Sequence, residues 1–287
     1  MTMFDNIFEI ESFDEYKAKQ GEFMSSHRLY DYHKDPSVFY AKESGLLPQR
    51  DTSAYEFGRA AHVLICEGWD AFNERYVVGC SPVNPKTGKP FGRDTDKFRE
   101  WALQYPDKVC LTDEDGETLR KMYDSVNGHL AAGYFRAGIP EGVCRSELSV
   151  IRDGKAASVQ CQIRVDYFCT PLSTVVDLKT TRSLDTFEAD ARDFGYFYQM
   201  AFYQMVVGKR ANIGTIDGYY VRPKVVIVAV EKEEPFRTGI YEFRINDSPL
   251  FAAQDQIRKD LWDYAKSVGT DKYSSLYTMP RYFSTQG

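Results

Sequence analysis

Apolar positions in the first hundred residues recur at helical spacing, and prolines and polar loops interrupt them. In TSAYEFGRAAHVLICEG, residues Phe57, Ala60, Ala61, Leu64 and Ile65 share one helical face, with Thr52 or Ser53 placed to cap it. Pro36, Pro48 and the polar loop SPVNPKTGKPFGRD, from Ser81 to Asp94, mark breaks. A helix is predicted from about Asp94 to Tyr105. Another is predicted from about Thr112 to Phe135, where Leu119, Met122, Tyr123, Val126 and Leu130 form an apolar stripe.

The pattern then changes. CRSELSVIRD, AASVQCQIRVDYFC and STVVDLKTT show alternating or continuous apolar runs with turn residues at Asp153-Gly154 and Thr170-Pro171, which predicts a three-strand antiparallel meander. The aromatic-rich FEADARDFGYFYQMAFYQMVVG predicts a helix from about Tyr196 to Val207, packed on that sheet. VVIVAVEK and TGIYEFRI read as two further strands, followed by a helix from about Ser248 to Val268 and an aromatic tail. No internal repeat or linker divides the chain. It reads as a single α/β domain over residues 1–287, mainly helical over 1–140, with a sheet core and C-terminal helix over 141–287.

Composition narrows the possibilities. With 287 residues and 43% apolar content, the chain can bury a substantial core. A formal net charge of −6 argues against coating nucleic acid by charge alone, but leaves room for a local basic groove assisted by metal ions. The six cysteines form no CxxC pair and no zinc-type cluster with histidine, as expected for reduced thiols in a cytoplasm. The acidic start MTMFDNIFEIESFDEY is unlike a signal peptide, and no apolar run reaches the length of a membrane span.

The candidate chemistry lies on the predicted strands. Asp177 and Lys179, two apart in VVDLKTTRS, share a strand face while Leu178 points the other way. Asp166 precedes Asp177 by eleven residues, enough for a strand end and a tight turn, so adjacent strands can present both carboxylates to one point. Glu147 is a third strand acid. Clustered carboxylates need a compensating cation, and hard oxygen donors suit magnesium, with manganese as a substitute. Lys179 would orient a metal-bound water and stabilise charge on a phosphoryl group. Gln199 and Tyr203, four apart, share one helical face. His62, in GRAAHVLI, becomes a metal ligand if its helix packs over the strand ends.

These residues resemble the PD-(D/E)XK nuclease superfamily, in particular the RecE-type exonucleases of its RecB-like branch. The resemblance lies in GRAAHVLICEG, SELSVIRDGKAASVQCQIRVDYF, VVDLKTTRSLDTF and YFYQMAFYQMV, with looser likeness in SSHRLYDYHKDPSVFYAKES and in TMPRYF. It implies a restriction-endonuclease-like core, a central mixed sheet flanked by helices, with a helical N-terminal part. It implies that His62, Asp166, Asp177 and the Leu178 main-chain carbonyl hold the metal, with Glu147 as a further acid, and that Lys179 is the catalytic lysine. By the same resemblance Gln199 and Tyr203 are the Q-x-x-x-Y motif near the DNA backbone.

The implied activity is hydrolysis of linear duplex DNA from a 5′ end, leaving 3′ single-stranded tails. The implied assembly is a homo-oligomeric ring, with Arg59, Lys86, Lys89, Arg93 and Arg182 as channel cations and a RecT-type single-strand annealing protein as partner. A bacterial cytoplasm and a phage or prophage origin go with this reading. The metal site does not encode end preference, so a nuclease of other polarity, an endonuclease, or a non-catalytic DNA-binding module are the alternatives.

Overall fold

The computed structural model of the chain describes residues 4, 6–47, 53–78, 82–243 and 248–268. The helical part comprises α1 (Phe13–Ala18), α2 (Ser26–Lys34), α3 (Pro36–Glu43), α4 (Ser53–His62), a π-helical turn (Val63–Glu67), α5 (Trp69–Arg75), β1 (Tyr76–Val77), α6 (Asp96–Ala102), β2 (Val109–Cys110), α7 (Asp113–Gly128) and a 3-10 turn (Leu130–Tyr134). The remainder comprises β3 (Gly138–Pro140), β4 (Val143–Arg152), β5 (Lys155–Arg164), β6 (Tyr167–Cys169), β7 (Thr174–Thr181), α8 (Phe187–Asp193), α9 (Tyr196–Arg210), β8 (Lys224–Glu231), β9 (Thr238–Glu242) and α10 (Ser248–Ser267).

Local chemistry sets several boundaries. Ser12 with Glu15 and Thr112 with Asp115 form reciprocal caps on α1 and α7, and Asp35 caps α3 ahead of Pro36. The α7 helix is shorter than its apolar stripe predicts. The chain turns at His129, whose ring nitrogen accepts from the Ala131 N–H, and Leu130 is left 86% exposed. The suggested Thr52 cap, Pro48, Ser81, the end of the TGIYEFRI strand, and the C-terminal aromatic tail with TMPRYF lie outside the described residues.

Five strands form one mixed sheet in the order β3-β6-β7-β8-β9, with β7 and β8 parallel and the other pairs antiparallel. The strands β4 and β5 form a separate two-stranded hairpin, so the expected three-strand meander is corrected to two hairpins in two layers. The run predicted as one strand through Cys169 divides. Its first half ends at Arg164, and its second begins at Tyr167. The reason is packing: Cys144, Leu148, Val159, Cys161 and Ile163 of the long hairpin join a core with α9 and α10, whereas β6 pairs with β7 in the central sheet. Val165 and Asp166 make the crossing.

Each face of the central sheet has its own core. Val175, Val225 and Ile227 face α2, α9 and α10 together with the hairpin, while Val176, Leu178, Val226, Val228 and Val230 face α4, the π-helical turn and α7. Burial on both faces explains the near-continuous apolar runs of the parallel pair. Alternation along β7 sends Leu178 into one core and turns Asp177 and Lys179 toward α9. That helix starts at Gly195 (φ 73°), where a Cβ would lie 2.4 Å from the Tyr30 ring, so only glycine lets α9 approach α2 this closely. Among the described residues no helix is long and apolar enough to cross a membrane.

Candidate active site

The site is built on the end of β7. Lys179 Nζ lies 2.5 Å from Asp177 Oδ2, an ion pair at a carboxylate that is 1% exposed. The other oxygen, Oδ1, accepts from Gln199 Nε2 at 2.9 Å.

The last β6–β7 pair is Tyr167 with Val176, and beyond it no described strand covers that edge of β7. Asp166 fills the gap from the crossing between the two hairpins, its Oδ2 accepting from the Leu178 N–H at 2.7 Å. The N–H and C=O of one extended residue leave a strand on the same edge, so the Leu178 carbonyl also faces the Asp166 side. The strand break that divides the predicted run is what frees this edge.

Two further groups converge on Asp166. His62 ends α4 immediately before the π-helical turn, a local distortion of the kind often found at functional sites, and its Nδ1 lies 3.3 Å from Asp166 Oδ1. Glu141, in the short turn between β3 and β4, bonds through its N–H to the Asp166 carbonyl at 3.1 Å. It does so with φ 53°, a left-handed conformation that a non-glycine residue adopts at a cost of roughly 1 kcal/mol or more. His62, Glu141 and Asp166 offer three ligand atoms within 4.8 Å of one another.

Each carboxylate leans on a cation: Asp177 on Lys179, Asp166 on His62, and Glu141 on Arg164 at 2.7 Å. Burial pushes the Asp177 carboxyl above its ordinary range and the Asp166 charge adds to this, against the pull of Lys179. Burial and Asp166 raise Glu141 in the same way. Asp166 goes the other way: burial alone would raise it, but His62, Lys179 and the Leu178 N–H together hold it below its ordinary range. His62 is raised despite its burial, since Asp166 favours the imidazolium. Lys179 is also raised, burial being outweighed by Asp177 and Asp166.

These observations fit a hard divalent cation. A cation bound by His62, Glu141 and Asp166 would take the place of the imidazole proton, screen the carboxylates from each other, and lie toward the side on which the Leu178 carbonyl emerges. A donor set of carboxylates, one main-chain carbonyl and one imidazole suits magnesium or manganese.

The other predicted residues fall differently. Gln199 and Tyr203 are 7% and 5% exposed and turn inward. Gln199 Nε2 also donates to the Tyr203 hydroxyl at 2.9 Å, which donates to the Arg164 carbonyl at 3.3 Å, so the pair braces Asp177 and the end of β5 from behind. Glu147 is not in the cluster. It pairs across the hairpin with Gln160 and stands exposed, because Cys144, Leu148 and Val150 take the inward face of β4. Arg93, expected as a channel cation, is held by Glu56 at 2.5 Å and Asp115 at 2.9 Å, which clasp α4 to α7. Lys86 and Lys89 are exposed on their loop. Arg182 is 80% exposed beside Glu233, and Arg59 lies over the rings of Phe13 and Tyr55.

Sequence reasoning missed Glu141 and Arg164. The acid sits in a Pro-Glu-Gly turn that reads like any solvated turn, and only the fold brings it to Asp166.

The profile of a PDDEXK-like domain of unknown function (DUF3799) matches residues 11–273. No curated protein matches the sequence. A crystal structure from Eubacterium rectale, of a protein provisionally named an exonuclease, is similar over 95% of this chain and 96% of its own, with a TM-score of 0.54 at 14% identity. A phage-related exonuclease from Haemophilus somnus is similar over 72% of this chain and 92% of its own, with a TM-score of 0.30 at 10% identity. The first is close enough in shape to bear on the fold. With the profile match, it shows the central mixed sheet flanked by helices to be the PD-(D/E)XK architecture.

Proposed function

We propose, from the premise that the chain belongs to the PDDEXK-like family DUF3799, that it is a divalent-metal-dependent exonuclease acting on linear duplex DNA from the 5′ end and leaving 3′ single-stranded tails. The observation that carries the hydrolytic reading is the convergence of His62, Glu141 and Asp166 beside the Asp177–Lys179 pair. Magnesium is the proposed ion, with manganese able to replace it.

His62, Glu141, Asp166 and the Leu178 carbonyl would hold the ion, with Asp177 beside them. Bound there, it would supply Lewis acidity and an activated water for attack on phosphorus. Lys179, between Asp177 and the face of the Tyr196 ring at 4.9 Å, presents a fixed ammonium to the phosphoryl oxygens. Gln199 and Tyr203 keep Asp177 in place without touching substrate.

Polarity, a homo-oligomeric ring, a RecT-type annealing partner, a bacterial cytoplasm and a phage or prophage origin rest on the RecE-type resemblance of the motif segments. The exonuclease name of the Eubacterium rectale relative agrees with this reading. The test is digestion of 5′-labelled duplex, 3′-labelled duplex and a covalently closed circle. Early release of the 5′ label with an intact circle is expected; cutting of the circle, or early release of the 3′ label, overturns the assignment.

A further inference from the structure

Three of the four histidines have a partner. His33 Nδ1 lies 3.2 Å from Asp260 and His62 Nδ1 3.3 Å from Asp166, and the His129 ring accepts from the Ala131 N–H at 3.2 Å. His27, in the first turn of α2, is exposed and makes no hydrogen bond or ion pair among the described residues. Asp31, four residues on and within reach along the helix, is taken instead by Lys42 at 2.8 Å.

Backbone pairing places this ring. Met24 pairs in parallel with Cys161 of β5, its N–H donating to the Gln160 carbonyl at 2.8 Å and its carbonyl accepting from the Gln162 N–H at 2.9 Å. The chain therefore enters α2 in the direction that β5 runs, toward Arg164 and the crossing at Asp166. Arg28 fixes that entry by donating to the Phe23 carbonyl at 2.7 Å. One turn beyond His27, Tyr30 packs on Gly195, the residue before Tyr196, whose ring lies 4.9 Å from Lys179 Nζ. This turn of α2 thus lies between two elements that carry the site.

The electrostatics agree. Burial by the surrounding protein, then the Lys179 ammonium, lowers the His27 pKa, while Asp31 and Asp166 oppose them. A ring on a remote face of the protein would be screened from Lys179 and Asp166. The imidazole is therefore neutral near pH 7, with one N–H donor and one acceptor nitrogen.

We infer that His27 is a further catalytic residue, whose ring N–H donates a hydrogen bond to a non-bridging oxygen of the scissile phosphate beside Lys179. The two groups complement each other: the ammonium is a point charge on a flexible stem, whereas the imidazole offers a single directional donor that sets how the phosphate is turned. His27 comes from the sheet face that packs α2 and α9, opposite the face that packs α4 and His62, so the phosphate would be held from both sides. The inference rests on the nuclease reading and adds to it a substrate contact from the helical N-terminal part.

The test uses full-length protein labelled with 15N-histidine, with calcium in place of magnesium, and a short blunt DNA duplex as the probe. The His27 ring signals, identified by their absence from the His27→Gln spectrum, are expected to shift as duplex is added, while those of His33 and His129 stay. In magnesium, His27→Ala is expected to lower kcat/KM about 10- to 100-fold with an unchanged thermal midpoint. His27→Gln, whose amide can donate in place of the ring, is expected to recover most of that loss, which a merely structural role would not require. Ring signals that do not move at saturating duplex, full activity in the alanine variant, or equal loss in the alanine and glutamine variants would overturn the contact. Absence of hydrolysis by wild-type protein with magnesium or manganese would instead defeat the nuclease reading, and the ring signals would still report on His27.

Discussion

The Asp166 carboxylate accepts a hydrogen bond from the Leu178 main-chain N–H at 2.7 Å, a side chain standing where a strand would otherwise pair. One contact thereby caps the open edge of β7 and brings a ligand to the side on which the Leu178 carbonyl emerges. Asp166→Asn keeps an oxygen able to accept that bond but loses the charge. We expect a fold and thermal midpoint close to wild type and hydrolysis reduced on the order of 10³-fold. An Asn variant that unfolds would show the role to be structural.

Glu141 and Glu147 provide a contrast within one short segment. Glu141→Gln, inside the cluster, is predicted to weaken metal binding and activity about 10- to 100-fold. Glu147→Gln, on the outer face of the hairpin, is predicted to change neither. Calorimetric titration of both variants with manganese checks this, and the reverse ranking would return the acid of the motif to Glu147.

Gln199 acts through Asp177. Its removal leaves Asp177 Oδ1 without its 2.9 Å donor, and Gln199→Ala is expected to lower kcat about 10- to 100-fold with little change in KM. A rise in KM alone would instead indicate that Gln199 touches DNA.

Stability should depend on pH through a group outside the ligand cluster. Glu231, 2% exposed at the end of β8, accepts from the Leu184 N–H, the Arg237 N–H and the Arg237 guanidinium. The Arg237 guanidinium holds its carboxyl down at about 2, against an ordinary 4.5. The folded value lies below the unfolded one, so the contact stabilises fully above the unfolded value and is lost as pH falls toward the folded one. Thermal melts between about pH 5 and 3 should show a steeper loss for wild type than for Glu231→Gln. Parallel curves would contradict this.

Arg93 and the loop lysines separate structure from substrate binding. Arg93→Ala breaks the Glu56–Asp115 clasp, and we expect it to destabilise the protein by about 1–2 kcal/mol without altering the salt dependence of DNA binding. Lys86→Ala/Lys89→Ala should leave stability unchanged and lower the slope of log affinity against log salt by about one to two. Salt titrations with both variants distinguish the two roles.

The part of the site that depends on short-range periodicity was legible in the sequence. Asp177 and Lys179 share a face because strands alternate, and Gln199 and Tyr203 do because helices repeat. What those faces meet was not legible: Gln199 turns inward to Asp177, and Tyr203 to a carbonyl of β5. QIRVDYF reads as one strand because both halves are apolar in alternation, and only the competing demands of the hairpin core and the central sheet divide it at Asp166. Glu141 and the pairing of Arg93 are long-range contacts with no local pattern.

The most direct measurement is digestion of linear duplex DNA by wild type, Asp177→Ala and Lys179→Ala, with and without magnesium, alongside circular dichroism and binding to DNA ends. The geometry predicts magnesium-dependent hydrolysis by wild type and none by either variant, with folding and end binding retained. Full activity in both variants would contradict it.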